Sequence, residues 1–402
     1  MRLSKIHFPL VAASALLFSV LTTNGCKEES PNLYKNEIDS VGIVWVPDLR
    51  EGIFDAELLE TGKGLVLKGE TNVSEARDAL MDVLKRKGVT FADSLILMPD
   101  STVSGRPWGL VNVSVGNIRF FSSYDSELVS QAPMGTPVKI LRKRGGWFLI
   151  QTPDRYIGWI TSEALAPLTP EEHSKWKDSP RLFYTTGTGS VFTDPSMSRP
   201  VSDIVAGCIV EISGNSGNGF TVRLPDGRSG FIPNDRGVSL EDIGGPEYSD
   251  RSRLVANAEA FMGIPYLWGG TSPKGFDCSG FTKTVYFLNG IILSRDASQQ
   301  YQYGLRMRRD YPADSLRPGD LVFFGTSGRG RPRATHVGMY LGNSDFIHCS
   351  GMVRINSFDS TKANFSRARR DTYIGARRIL GAPYGKGIEP LSMHHWYKNM
   401  VE

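Results

Sequence analysis

Apolar positions change their period several times along this chain. From Phe8 to Leu21 they run almost unbroken behind Arg2 and Lys5. Residues 27–33 are a short polar tether, and Gly64 to Lys68 reads as a strand. After Asn72-Val73-Ser74-Glu75, Ala76, Leu80, Val83 and Leu84 recur at helical spacing, with Gly88 as the stop and Ser94 to Met98 as the next strand. Residues 27–105 are therefore expected to hold the tether and a small β-α-β unit whose residues display no chemistry.

An internal repeat follows. Gly135-Thr136-Pro137-Val138-Lys139-Ile140-Leu141 is echoed by Gly207-Cys208-Ile209-Val210-Glu211-Ile212-Ser213. At matching offsets come Pro153-Asp154 and Pro225-Asp226, then Gly158-Trp159-Ile160 and Gly230-Phe231-Ile232. Short alternating strands around Pro-Asp turns predict two small, bent β-barrels, at 106–168 and 181–240. Tyr156 stands in the first copy where the second has Arg228, which marks the first for a contact of its own.

Within 247–380 the pattern alternates between helices and strands. Arg253 to Met262 reads as a helix ending near Gly263. Beyond Tyr266-Leu267-Trp268-Gly269-Gly270 and Phe276-Asp277-Cys278-Ser279-Gly280, a second helix carries Phe281, Val285 and Leu288 on one face. Asp277 is its expected N-cap, which puts Cys278 at a helix start, where free N–H groups and the macrodipole favour a thiolate. Gly319 to Phe324 and His336 to Leu341 read as strands, and Asp345 to His348 begins a third. A hairpin would bring His336 and His348 together.

Composition narrows the chemistry. A chain of 402 residues suggests two to four domains. A net charge of +4 is too weak to imply a nucleic-acid partner. The first apolar run is shorter than the ~20 residues that span a bilayer but suits a signal peptide, so export and cleavage within 1–26 are expected. Beyond Cys26, only Cys208, Cys278 and Cys349 remain, an odd and sparse set that argues against a disulfide framework. Cys208, at an apolar strand position, and Cys349, beside His348, are expected to pack as small hydrophobes.

No C-x-x-C or H-x-x-x-H pair supports a metal site, no cofactor is called for, and His7, His173, His394 and His395 are given no role. What remains is nucleophilic acyl transfer. Cys278 would be the nucleophile, His336 the base that holds its proton as an ion pair, and His348 the third member. The Cys278 backbone N–H, aided by Tyr266, would stabilise the oxyanion.

Several segments resemble known families. Thr23-Asn24-Gly25-Cys26 resembles a bacterial lipobox, which implies lipid attachment at Cys26 and anchorage to a bacterial membrane facing the periplasm or envelope. The two repeat copies resemble bacterial SH3-like domains. Tyr-x-Trp-Gly-Gly, Phe-Asp-Cys-Ser-Gly, Pro-Gly-Asp-Leu-Val-Phe-Phe, Thr-His-Val-Gly-Met-Tyr and Ile-His resemble, in order and spacing, the NlpC-type papain-like cell-wall peptidases. That implies an α+β, papain-like catalytic domain over 247–380, followed by a tail, 381–402. The domain order is similar to the γ-D-glutamyl-L-diamino acid endopeptidase (dipeptidyl-peptidase VI) branch.

The branch resemblance implies a pocket for the free amine of an N-terminal L-Ala, built from Glu127, Tyr156, Asp277, Ser279 and Asp296. Ala297 stands where a serine often follows that last aspartate. The implied partners are peptidoglycan-derived peptides, acted on by a monomer. A wall-lytic endopeptidase on intact stem peptides and a non-catalytic wall-binding module are the alternatives.

Overall fold

The computed structural model describes residues 33–399 apart from 216, 244–249, 308–314, 327–329 and 331. The leader and Cys26 lie outside the described residues.

The first unit is larger than the sequence pattern suggested. Helix Ser74–Arg86 connects strands Gly64–Thr71 and Phe91–Leu97, which pair in parallel as a crossover helix requires. Strand Phe54–Thr61 adds antiparallel to Gly64–Thr71, and helix Lys35–Trp45 covers the unit. That helix was not foreseen, because Gly42 and several β-branched residues weaken its helical signature and no side chain caps it. Ile38, Val41, Leu58, Leu67, Ala76, Leu80, Leu84 and Leu95 form the core of the unit.

The repeat becomes two seven-stranded sheets of identical order. The first runs Leu165–Leu168, Trp108–Val111, Pro137–Arg144, Trp147–Gln151, Ile157–Thr161, Val115–Arg119, Leu128–Pro133. The second runs Gly237–Ser239, Arg181–Tyr184, Ile209–Asn215, Gly219–Arg223, Ser229–Pro233, Thr188–Phe192, Pro200–Val205. Neither closes among the described residues, since the end strands of each do not pair, so the expected barrels are SH3-like open sheets. Helix Pro170–Asp178, started by a Thr169/Glu172 capping box, joins them.

The last region is α+β. Its six-stranded antiparallel sheet has the order Leu305–Met307, Tyr373–Arg378, Leu321–Thr326, Arg333–Gly342, Asp345–Ser350, Met352–Ser357. Helix Cys278–Phe287 lies against it, burying Phe281, Val285 and Tyr286 in a core with Leu321, Phe323, Val337, Met339 and Ile347. Over residues 381–399 the expected tail is an ordered strap. Strand Ile388–Pro390 pairs with Ile291–Leu293, and Trp396 and Tyr397 are buried against the first sheet and the linking helix. Among the described residues no helix is long and apolar enough to cross a membrane.

Candidate active site

Asp277 caps helix Cys278–Phe287 by accepting the Gly280 N–H at 2.7 Å, so Cys278 is the first helical residue. The nearby backbone N–H groups of Val337 and Ser279 favour its thiolate. The preceding turn is held tightly. Gly269, at φ +79°, lies so close to Leu128 of the first SH3-like sheet that a Cβ would sit 2.3 Å from the Leu128 carbonyl oxygen. The second glycine of the Trp-Gly-Gly motif, Gly270, abuts the Gly275 backbone as closely.

His336 and His348 stand on adjacent strands, with His336 Nε2 2.7 Å from His348 Nδ1 and His348 Nε2 2.8 Å from Asn356 Oδ1. The bond network assigns every proton. The Asn364 carbonyl can only accept, so the Asn356 amide turns its Nδ2 towards it at 3.0 Å and its Oδ1 towards His348. His348 therefore donates from Nε2 and accepts at Nδ1, His336 donates from Nε2, and the lone pair of His336 Nδ1 is left free.

Burial bears on the expected charge state of Cys278. It pushes the Cys278 thiol up to about 11, reinforced by Asp277 and only partly countered by the Val337 N–H, Arg295 and the Ser279 N–H. Burial, then Arg369 and His348, holds the His336 imidazole well below its ordinary range. His348 is lowered to about 4, chiefly by burial, against the pull of Asn356. Desolvation at this depth opposes the pull of the helix start, favouring the thiol at Cys278 and the neutral imidazole at His336.

Cys278 and His336 line one cleft of about 420 Å³ with Tyr266, Glu127, Tyr156, Ser279 and Asp296. Glu127 accepts the Trp268 Nε1–H at 2.6 Å. Tyr156 is buried, and burial and the nearby Asp296 raise its phenol, so it keeps its proton. Tyr266 keeps its own for the same first reason, helped by Cys278. Ser279 Oγ sits between Asp277 Oδ1 at 3.3 Å and Arg295 Nη1 at 3.1 Å.

Asp277 also reaches the cleft, but its oxygens already accept from Gly280, Gly269, Ser279 and two nitrogens of Arg295. A carboxylate offers about four lone-pair directions, so these contacts fix the Asp277 side chain at the edge of the cleft. Cys349 donates to the Phe276 carbonyl at 3.1 Å, and Cys208 is wholly buried in the second sheet, so both pack as small hydrophobes.

Charge in the cleft can now be apportioned. Arg295 is matched by Asp277 at 2.5 Å, and the cleft is further lined by the carboxylates Glu127 and Asp296 and by Arg50 and Arg333. Asp296 is met from an unforeseen direction, by Arg50 of the first unit at 2.7 Å.

A model of the NlpC/P60 family matches residues 263–401, and a model of the bacterial dipeptidyl-peptidase Sh3 domain matches 121–165. This chain has the NlpC/P60-type cysteine-peptidase fold with an SH3-like domain. It is 28% identical over 315 residues to a gamma-D-glutamyl-L-lysine dipeptidyl-peptidase of Bacillus cereus, covering 75% of this chain and 91% of that protein. It is 26% identical over 260 residues to a dipeptidyl-peptidase 6 of Lysinibacillus sphaericus, covering 62% and 91% respectively. A crystal structure of an NlpC/P60 family protein from Bacillus cereus shares the fold, with a TM-score of 0.58 at 23% identity over 68% of this chain and 99% of that one.

Two residues of this NlpC/P60-type site were missed in the sequence. Asn356 had a usable signature: the hairpin pairs His348 with Arg354, so Asn356, two further along, points to the same face. Arg50 had none, because its partner lies 246 residues away.

Proposed function

We propose that this protein is a cysteine peptidase that cleaves the γ-D-Glu–L-diamino acid bond of peptidoglycan-derived peptides bearing a free N-terminal L-Ala. Likeness to NlpC/P60 peptidases supports cysteine-peptidase chemistry on peptidoglycan-related peptides in general. The finer reading rests on one observation: a single cleft holds Cys278 and His336 together with Glu127, Tyr156 and Asp296. Two carboxylates and a protonated phenol suit a ligand ammonium. An acylated N-terminus would leave them unpaired, at a cost on the order of 2–5 kcal/mol.

In this reading His336 Nδ1 takes the Cys278 proton as the sulfur attacks the γ-carbonyl carbon, so thiolate forms during the step rather than before it. The oxyanion meets the Cys278 backbone N–H and the Tyr266 hydroxyl. His336 then gives the proton to the departing α-amine of the diamino acid, and the C–N bond breaks to leave a thioester. Water, deprotonated by His336, releases L-Ala-γ-D-Glu and restores the thiol. His348 and Asn356 hold His336 in the required tautomer throughout. Export, and attachment through a lipid on Cys26, belong to the same proposal.

Mass spectrometry of products from L-Ala-γ-D-Glu-diaminopimelate and from its N-acetylmuramoyl form tests it. Cleavage between D-Glu and the diamino acid, with the free-amine peptide preferred by roughly 10²-fold or more, is expected. Equal turnover of both peptides overturns the amine-recess reading.

A further inference from the structure

The loop 48–51 of the first unit ends inside the cleft and is tied to both elements that carry the ammonium recess. Arg50 accepts the Ile157 N–H at its carbonyl (2.8 Å), next to Tyr156, and the Glu51 carbonyl accepts from Gln151 Nε2 (2.8 Å). On the other side Gln299 Nε2 donates to Asp48 (3.0 Å) and Glu51 (2.7 Å), within the short helix that begins after Asp296. Arg50 Nη1 donates to Asp296 Oδ2 at 2.7 Å and to Ser298 Oγ at 3.0 Å.

We propose that Arg50 is a positioning residue for the substrate's ammonium end, making the first unit a working wall of the peptidase cleft. The inference rests on the reading that Asp296 and Glu127 receive that ammonium.

Two other roles for Arg50 fail on the contacts. It is not a free anion site, because Nε and Nη2 are held by Asp48 at 2.8 and 2.7 Å and Nη1 by Asp296 and Ser298. Four of its five N–H hydrogens are thereby committed. Nor does it cancel Asp296. The forked pairing with Asp48 already matches the guanidinium, so Asp48, Arg50 and Asp296 together carry one net negative charge. The other oxygen, Asp296 Oδ1, lies 3.9 Å from Arg295 Nη1. What Arg50 supplies is orientation: one carboxylate oxygen is anchored so that the other is fixed for a ligand. Removing it takes the shared cation from Asp48 and Asp296, which by charge alone would favour a ligand ammonium. A raised KM would therefore report lost orientation of Asp296.

The test is steady-state kinetics of the full chain on L-Ala-γ-D-Glu-diaminopimelate and its N-acetylated form, for wild type, Arg50→Ala and Arg50→Lys. Arg50→Ala is expected to raise KM for the free-amine peptide by about tenfold or more with kcat within about twofold, and to shrink the preference over the acetylated peptide. Arg50→Lys keeps a cation on Asp296 without the fork, so its KM is expected between the two. Unchanged KM and preference in Arg50→Ala overturn the inference, as does a loss confined to kcat. Should Arg50→Ala not fold, Arg50→Lys decides: a KM raised about threefold at constant kcat supports the role, and an unchanged KM overturns it. A wild type that does not distinguish the two peptides instead overturns the functional reading itself.

Discussion

The two SH3-like sheets are nearly the same object put to different uses. At the Pro-Asp turn of the first, the Thr152 N–H donates to the Tyr156 carbonyl and the Arg155 N–H to the Thr152 carbonyl. At the matching turn of the second, Leu224 donates to Arg228 and Gly227 to Leu224, at similar distances. Arg155 and Gly227 both take the left-handed conformation that this turn requires, at φ 70° and 89°. The surroundings then diverge. Asp154 is buried and faces Lys283 on helix Cys278–Phe287 at 3.5 Å, and Tyr156 enters the cleft. Asp226 is partly exposed and pairs with Arg228, which also donates to the Val201 carbonyl of its own sheet.

Docking of the first sheet is equally specific. Gln131 accepts from the Thr271 N–H at 3.0 Å, Ser130 accepts from Arg295 at 3.1 Å, and Glu127 meets Trp268. The fold of the sheet therefore says little about its task. The side chains at its contact with the catalytic region say most of it.

The largest test of this contrast compares two buried cysteines. Cys278→Ala is expected to reduce turnover by roughly 10⁴-fold or more, with the melting transition retained. Cys208→Ala, in the core of the second sheet, is expected to keep kcat/KM and lower unfolding stability by about 1 kcal/mol. Turnover by Cys278→Ala equal to wild type would break the catalytic assignment.

Acidification acts on the catalytic region and on the linking helix alike, by a smaller amount. Burial lowers both His348 and His173, the latter on the linking helix, to about 4. The unfolded chain holds a proton on each below about 6.5, where the folded protein resists one. The stability contribution is thus complete above pH 6.5 and is lost as pH falls towards 4, by about 3 kcal/mol for each histidine. Denaturant melts across that window should show a shallower pH slope in His173→Gln, and an unchanged slope counts against the burial assignment. By the same argument hydrolysis should persist below pH 6.5, since His336 stays neutral there.

A still finer test pairs the residues that differ between the repeats. Tyr156→Phe removes a protonated hydroxyl from the recess and is expected to raise KM for the free-amine peptide about tenfold. Arg228→Ala is expected to leave kcat and KM within about twofold, because its contacts stay inside the second sheet. Equal losses in the two variants would mean that the second sheet also shapes the cleft.

Much of this molecule could be read without coordinates. The Asp277 cap, Cys278 at a helix start, the strand placement of His336 and His348 and the doubled sheet all depend on spacings of a few residues, and local backbone geometry decides such features. Helix Lys35–Trp45 was hidden because packing of Ile38 and Val41, rather than propensity, stabilises it. Other features depended on packing between distant parts of the chain. Arg50 meets Asp296, Trp268 meets Glu127 and the strap around Trp396 crosses to Trp108 only after separate units dock. The protonation of Cys278 belongs with these. A helix start alone favours thiolate, but the depth of burial is a property of the packed whole, and here desolvation is the larger effect.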